Sequence, residues 1–185
     1  MMNLRKLHRK SAPILFLPLL LTALTGVGYR VGRTWFGMSD DAGEVFLEIH
    51  QGEFLGDGLV PFYVLLVGLG LLGMLATGIV MVIQRKPSKA QPKRDHRWVH
   101  RILAPITVLP LVLSATTGIA YRLGRAWFGL PREQAEFLMD LHQGSYFGTV
   151  GRSIYVFLVG LGLVALLVTG IQMTPLFRKR RSAQP

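Results

Sequence analysis

The sequence Phe-Leu-Met-Asp-Leu-His-Gln-Gly at residues 137–144 determines how the chain is organised, because its pattern has already occurred at residues 46–52 as Phe-Leu-Glu-Ile-His-Gln-Gly. His142 lies 92 positions after His50. The same offset, without a gap, relates further pairs: His8 and His100, Pro18 and Pro110, Gly26 and Gly118, Tyr29 and Tyr121, Gly78 and Gly170. The chain therefore contains one unit of about ninety residues written twice.

The composition is that of a membrane protein. Half of the 185 residues are apolar, and four runs contain no Asp, Glu, Lys or Arg: 12–29, 59–83, 102–121 and 154–177. Since about 20 apolar residues cross a bilayer core as a helix, each run is predicted to span the membrane. The first run follows a basic segment like a signal peptide, but its copy lies in mid-chain, so we interpret it as a retained helix.

The predicted fold is an all-α membrane protein of four transmembrane helices, arranged as two tandem two-helix repeats. The first repeat covers residues 1–84 and the second 96–177, with a basic linker at 85–95 and a basic tail at 178–185. In each long connection we expect a short amphipathic helix at the membrane interface. Ser39 is the expected cap of the first such helix, and Pro131 begins the second less cleanly.

The net charge of +11 reflects topology and does not indicate nucleic-acid binding. Fifteen of the 21 basic residues fall in residues 5–10, 85–101 and 178–181, whereas nine of the ten acids fall in the connections at 30–58 and 122–153. By the positive-inside rule both termini are cytoplasmic, and the basic segments can also attract anionic lipid. The absence of cysteine excludes disulfides, thiolate metal sites and c-type haem attachment.

Four of the five histidines recur at equivalent positions and predict metal ligation. With two spans per repeat, the repeats are related by an axis along the membrane normal, so His8 can meet His100 near the cytoplasmic face and His50 can meet His142 near the outer face. Two imidazoles that converge at equal depth are what a six-coordinate haem iron requires. We expect two b-type haems, with a single haem at the outer pair as the variant. His96 corresponds to Leu4 and is read as a boundary residue.

Basic and aromatic residues flank the predicted outer site. Arginines in pairs three apart lie where positive charge is otherwise scarce and suit haem propionates. Tryptophans beside them are candidate cofactor contacts, although they also fit an aromatic belt at the interface. Near the inner site, Arg5, Arg9, Arg97 and Arg101 have the corresponding role. The candidates at the outer site are Arg30, Arg33, Trp35, Arg122, Arg125 and Trp127.

The chain resembles the PepSY-associated transmembrane helix family over nearly its whole length. The resemblance rests on His-Arg-Trp-Val-His-Arg at 96–101, Leu-Thr-Gly at 24–26, Leu-His-Gln-Gly at 141–144 and Val-Thr-Gly at 168–170. It implies a bacterial inner-membrane protein, in some members a b-type haem reductase acting on ferric siderophores or serving other redox partners. Haem ligands of the family match His8, His50, His100 and His142. The outer connections here leave no room for the soluble PepSY domains of larger members.

The sequence therefore predicts a membrane b-type cytochrome, the electron-transfer component of an oxidoreductase. Its electron donor and acceptor are undefined, a redox protein or quinone, and a separate subunit carrying a PepSY domain is a candidate partner. The alternative is a cofactor-free scaffold, assembly factor or transporter subunit with histidines copied by duplication, which the many glycines in the spans also suit. No catalytic triad, His-Glu-x-x-His or phosphate-binding loop indicates a hydrolase.

Overall fold

The computed structural model describes residues 3–84 and 94–174, and this part of the chain is all-α, without strands. Most of the predicted linker, the end of the fourth apolar run and the basic tail lie outside the described residues. Within these residues four helices are long and apolar enough to cross a membrane. The predicted all-α class with four membrane-length helices is confirmed. The helices are α1 (Leu4–Trp35), α2 (Asp40–Gln51), α3 (Val60–Ile83), α4 (His96–Trp127), α5 (Arg132–Gln143) and α6 (Gly148–Gln172).

Helices α1 and α4 extend well beyond the apolar runs that predicted them. Each has 32 residues, so each is about 48 Å long, against about 30 Å for a bilayer core. Their polar ends stay helical because the first turn of each is capped. The side chain of Asn3 accepts a hydrogen bond from the backbone of Lys6, and that of Asp95 accepts from Arg97 and Trp98.

Helices α2 and α5 are the short connecting helices that the sequence predicted. Ser39 caps α2 by accepting from the backbone of Ala42, whereas Pro131 gives α5 no side-chain cap. Both helices end at a glycine in the left-handed conformation, with φ of 79° at Gly52 and 68° at Gly144. Glycine suits these positions because other residues rarely adopt that conformation. The His-Gln-Gly sequence therefore marks a helix end.

The four long helices form a bundle in which the two halves of the chain interlock. The most extensive interfaces join α1 to α6 and α3 to α4, so each connects one half to the other. Helices α1 and α3 also pack together, as do α4 and α6. The order around the bundle is thus α1, α3, α4, α6, with α1 and α4 across a diagonal. Helix α2 packs on α1 and α5 on α4, which brings the two short helices to the same end.

The core of the bundle is a layer of leucines at mid-height. Leu19 and Leu111, at equivalent positions in the two halves, are each 2% exposed, and they pack with Leu71, Leu163 and Leu166. Glycines permit the close approach of the helices around this layer. A Cβ at Gly68 would lie 2.6 Å from Ile119 Cδ1, and one at Gly160 would collide with Val27.

Replacement of Leu111 by alanine tests this core. We expect Leu111→Ala to lower the free energy of unfolding by about 2 kcal/mol or more, because the cavity it leaves lies inside the bundle. The matched control is Leu109→Ala on the same helix, where the side chain is 75% exposed, and there we expect less than about 0.5 kcal/mol. Unfolding of the purified protein in detergent measures both changes, and equal effects would contradict the described core.

Candidate functional site: two histidine pairs at opposite ends of the bundle

His50 and His142 come together at the end of the bundle that carries α2 and α5. They line a cavity of about 480 Å³ between the helices, here called the loop-side cavity, whose polar lining residues include Arg30, Arg122 and Arg152. The centroids of the two imidazole rings are 6.4 Å apart, and the ring planes are inclined at 69°. The predicted pairing of these two histidines is therefore present in the fold.

Hydrogen bonds fix how these two rings present their nitrogens. Nδ1 of His50 lies 2.8 Å from the backbone oxygen of Thr22, and Nδ1 of His142 lies 2.8 Å from that of Ser114. A carbonyl oxygen can only accept, so Nδ1 carries the proton and donates in both cases. In the neutral ring Nε2 is then unprotonated and free to bind a metal.

Both of these imidazoles are held in the neutral form. Burial, together with the neighbouring His142, lowers the pKa of His50 to about 4. Burial also lowers the pKa of His142. Since a histidine binds metal only as the neutral ring, the surroundings keep both residues ready for ligation at pH 7.

Glycines of the transmembrane helices make room for these rings. A Cβ at Gly26 would lie 2.8 Å from Cε1 of His50, and a Cβ at Gly118 would lie 3.1 Å from Cε1 of His142. Both glycines follow a threonine in a Thr-Gly pair. The close approach of α2 to α1 therefore requires the absence of a side chain at Gly26, and the approach of α5 to α4 leaves only a tight space for one at Gly118.

The other two predicted ligands, His8 and His100, line a second cavity at the opposite end of the bundle. This terminus-side cavity has a volume of about 1140 Å³. Nδ1 of His8 lies 2.7 Å from Oγ1 of Thr77, and Nδ1 of His100 lies 2.9 Å from Oγ1 of Thr169. Both hydroxyls donate to carbonyls of their own helix, so they accept from the histidines, and Nε2 is again free.

The two cavities are separated by the leucine core. Leu19, Leu71 and Leu163 contribute to the lining of both. Thr22, whose carbonyl is the partner of His50, lies 14 positions after His8 in α1, which corresponds to about 20 Å along the helix. The two histidine pairs therefore lie at opposite ends of the apolar core, separated by about two thirds of the thickness of a bilayer core.

The predicted arginines divide into two groups. Arg30 and Arg122 line the loop-side cavity, and each contacts the glutamine of the His-Gln-Gly sequence in the other half of the chain. Arg30 donates to Gln143, and Arg122 donates to Gln51 at 3.4 Å. These reciprocal bonds tie α2 and α5 to the opposite repeat. The predicted inner arginines, Arg5, Arg9, Arg97 and Arg101, all line the terminus-side cavity.

Four predicted contacts, Arg33, Arg125, Trp35 and Trp127, are not among the residues that line the loop-side cavity. Arg33 pairs with Asp40 at 2.7 Å and donates to the carbonyl of Met38, while Arg125 donates to that of Leu130, so both brace the turn after their helix. The tryptophans are about half exposed and pack on Phe157 and Phe62, as expected of an aromatic belt.

The residues of the loop-side cavity that sequence reasoning missed include Tyr63, Tyr155 and Arg152. The tyrosines are equivalent in the two repeats, and their rings pack against Gly52 and Gly144, so the repeat itself held the signal. Arg152 could not be found by comparing the repeats, because the equivalent residue in the first repeat is Val60. Across residues 3–84 and 94–174, no three His, Asp or Glu side chains form a group that could hold a metal ion.

Replacement of Gly26 by alanine tests the close packing of His50. The added methyl group must displace the imidazole and its bond to the Thr22 carbonyl, so we expect Gly26→Ala to lose about 1 to 2 kcal/mol of stability. Gly73→Ala is the control, since a Cβ there meets nothing within 4 Å, and it should leave stability equal or slightly raised. Thermal unfolding in detergent compares the two. A Gly26→Ala protein as stable as the Gly73→Ala protein would contradict the described contact.

Comparison with protein-family models, with curated proteins and with solved structures finds no match to this chain. The resemblance to the PepSY-associated family therefore stays a prediction from the quoted motifs. The features of this chain that bear on function are the two histidine pairs and the residues around them.

Proposed function

We propose that the protein is a membrane b-type cytochrome that transfers electrons across the membrane through haem held by paired histidines. The observation that carries this proposal is the 6.4 Å separation of the His50 and His142 ring centroids. Two imidazoles that bind one iron from opposite sides, each through a bond of about 2 Å, have ring centroids roughly 6 Å apart. The loop-side pair is therefore spaced to share one metal ion.

The donor set suits haem better than a bare ion. A bare metal ion in a protein usually takes at least three side-chain ligands, whereas haem brings four nitrogens of its own and needs only two axial partners. The loop-side cavity offers such a pair together with arginines suited to propionates, and its other walls are largely apolar. Haem held by His50 and His142 would supply one-electron transfer.

The chain's own residues would bind and orient the group. The carbonyls of Thr22 and Ser114 accept from Nδ1 of the two histidines, which fixes the ring orientation and directs Nε2 to the metal. The terminus-side pair supports a second haem in the same way, through the hydroxyls of Thr77 and Thr169. Leu19, Leu71 and Leu163 line both cavities, and these apolar side chains would keep water out of the path between two such haems.

The finer assignments follow the charge pattern and the family resemblance. We place the protein in a bacterial inner membrane with both termini in the cytoplasm, because the basic segments cluster on the side of His8 and His100. The electron donor and acceptor are a redox protein or a quinone. A separate subunit with a PepSY domain would supply the soluble part that this chain's connections lack.

A reduced-minus-oxidised absorption spectrum of the purified protein, with haem counted per polypeptide, tests the proposal. We expect a low-spin b-type spectrum and two haems per chain. His142→Ala should remove the loop-side haem and His100→Ala the terminus-side haem, because each leaves one axial ligand without its partner. The control is His96→Ala, since His96 lies outside the residues that line either cavity, and it should keep both haems.

Other results would change the assignment in defined ways. One haem per chain that survives His100→Ala would restrict the cofactor to the loop-side pair. A colourless protein, despite haem supplied during expression, would reject the cytochrome and favour a cofactor-free scaffold. Haem content unchanged in His142→Ala would reject the loop-side ligands.

A further inference from the structure

The loop-side cavity is lined by equivalent positions of the two repeats, but the charges on its two sides differ. Three arginines line the cavity and no carboxylate does. Arg122 has a carboxylate nearby, since its guanidinium lies 3.5 Å from Glu53. On the other side, the position equivalent to Glu53 is Ser145 and the position equivalent to Val60 is Arg152. One side is thus neutral and the other carries two positive charges.

Arg30 and Arg152 form this doubly charged side. Arg152 donates to Oγ of Ser145 at 3.1 Å and Arg30 donates to the side chain of Gln143, two residues earlier in the chain, and both arginines line the loop-side cavity. Among the described residues, neither is ion-paired with a carboxylate. Nε of Arg30 is buried without a hydrogen-bond partner, as is Nε of Arg122 across the cavity. What distinguishes the Arg30 and Arg152 side is therefore its charge: two guanidinium groups without a carboxylate partner, against one that lies beside Glu53.

We propose that Arg30 and Arg152 together bind a carboxylate on this side of the loop-side cavity. A carboxylate fits because guanidinium groups donate in a planar fork to its two oxygens, and because its negative charge offsets part of the positive charge of the two arginines. The assignment of this carboxylate to a haem propionate rests on the proposed function. A small free carboxylate has the same chemistry and would occupy the same position in a protein without haem.

The haem site would therefore be asymmetric, with a stronger carboxylate-binding side and a weaker one, although the two repeats that form it are alike in sequence. A carboxylate on the Arg30 and Arg152 side meets two unpaired cations, whereas one beside Arg122 meets a cation already shared with Glu53. Arg152 is therefore a binding residue that only the second repeat supplies. Its removal should affect ligands that carry a carboxylate and spare those that do not.

Titration of the full-length protein in detergent with haem and with haem dimethyl ester tests this distinction, because the ester lacks both carboxylates. The variant Arg152→Val introduces the residue present at the equivalent position 60. We expect the ratio of haem affinity to ester affinity to fall about tenfold in Arg152→Val, with ester affinity unchanged. The control Arg125→Val, at an arginine outside the cavity lining, should keep the wild-type ratio.

A second measurement identifies a free carboxylate and does not depend on haem. The thermal midpoint of haem-free protein is measured in sodium succinate and in sodium chloride at equal ionic strength. A rise in succinate for the wild type that is absent in Arg152→Val supports the site with a free carboxylate as its ligand. If neither haem nor its ester binds, the proposed function fails, and this measurement alone decides the inference.

Two results would overturn the inference. Arg152→Val could weaken haem and ester by the same factor, which would make Arg152 a structural residue. Alternatively, the affinity ratio could stay at the wild-type value while succinate leaves the thermal midpoint unchanged, which would show that no carboxylate binds there.

Discussion

The interaction on which the candidate site depends is the hydrogen bond that each histidine donates through Nδ1. Two of these bonds go to backbone carbonyls and two to threonine hydroxyls, and every acceptor lies in the same half of the chain as its histidine. Each bond fixes a tautomer with Nε2 free, and all four rings lie beside a glycine of a transmembrane helix. Each repeat thus orients its own two histidines, which are candidate ligands, but the second histidine of each pair comes from the other repeat.

The pairs are completed by packing between the repeats. The largest helix interfaces and the reciprocal contacts of Arg30 with Gln143 and Arg122 with Gln51 all join one half of the chain to the other. This division explains the sequence His-Gln-Gly in physical terms. Histidine is anchored within its own repeat, glutamine accepts from the opposite repeat, and glycine ends the helix in a left-handed turn against a tyrosine. Three adjacent residues therefore have separate roles: the first is a candidate metal ligand, the second joins the two halves of the chain, and the third ends the helix.

Much of this architecture was predictable because it follows from periodic or repeated features. Apolar runs gave the four spans, Ser39 gave the start of α2, and the offset of 92 residues gave the pairing of His50 with His142. Side-chain direction is harder to read from the sequence. Arg33 is three residues from Arg30 and shares its helix face, but it lies in the last turn and reaches forward to Met38 and Asp40. Arg152 was missed because comparison of the repeats draws attention to what is alike, and this position differs.

The histidines at the two ends of the bundle belong to different kinds of helix, so the two pairs differ in how firmly they are held. His8 and His100 belong to the spanning helices themselves, so they stay in place as long as α1 and α4 pack on α3 and α6. His50 and His142 belong to short helices that only pack against the bundle, and short surface elements open more easily than core helices. The geometry of the loop-side histidine pair therefore depends on local contacts: the hydrogen bonds of Nδ1, the close packing of the rings on glycine, and the hydrogen bonds between arginine and glutamine. It is also the end at which the sequence conserves the His-Gln-Gly triplet between its own two halves while allowing the surrounding charge to diverge.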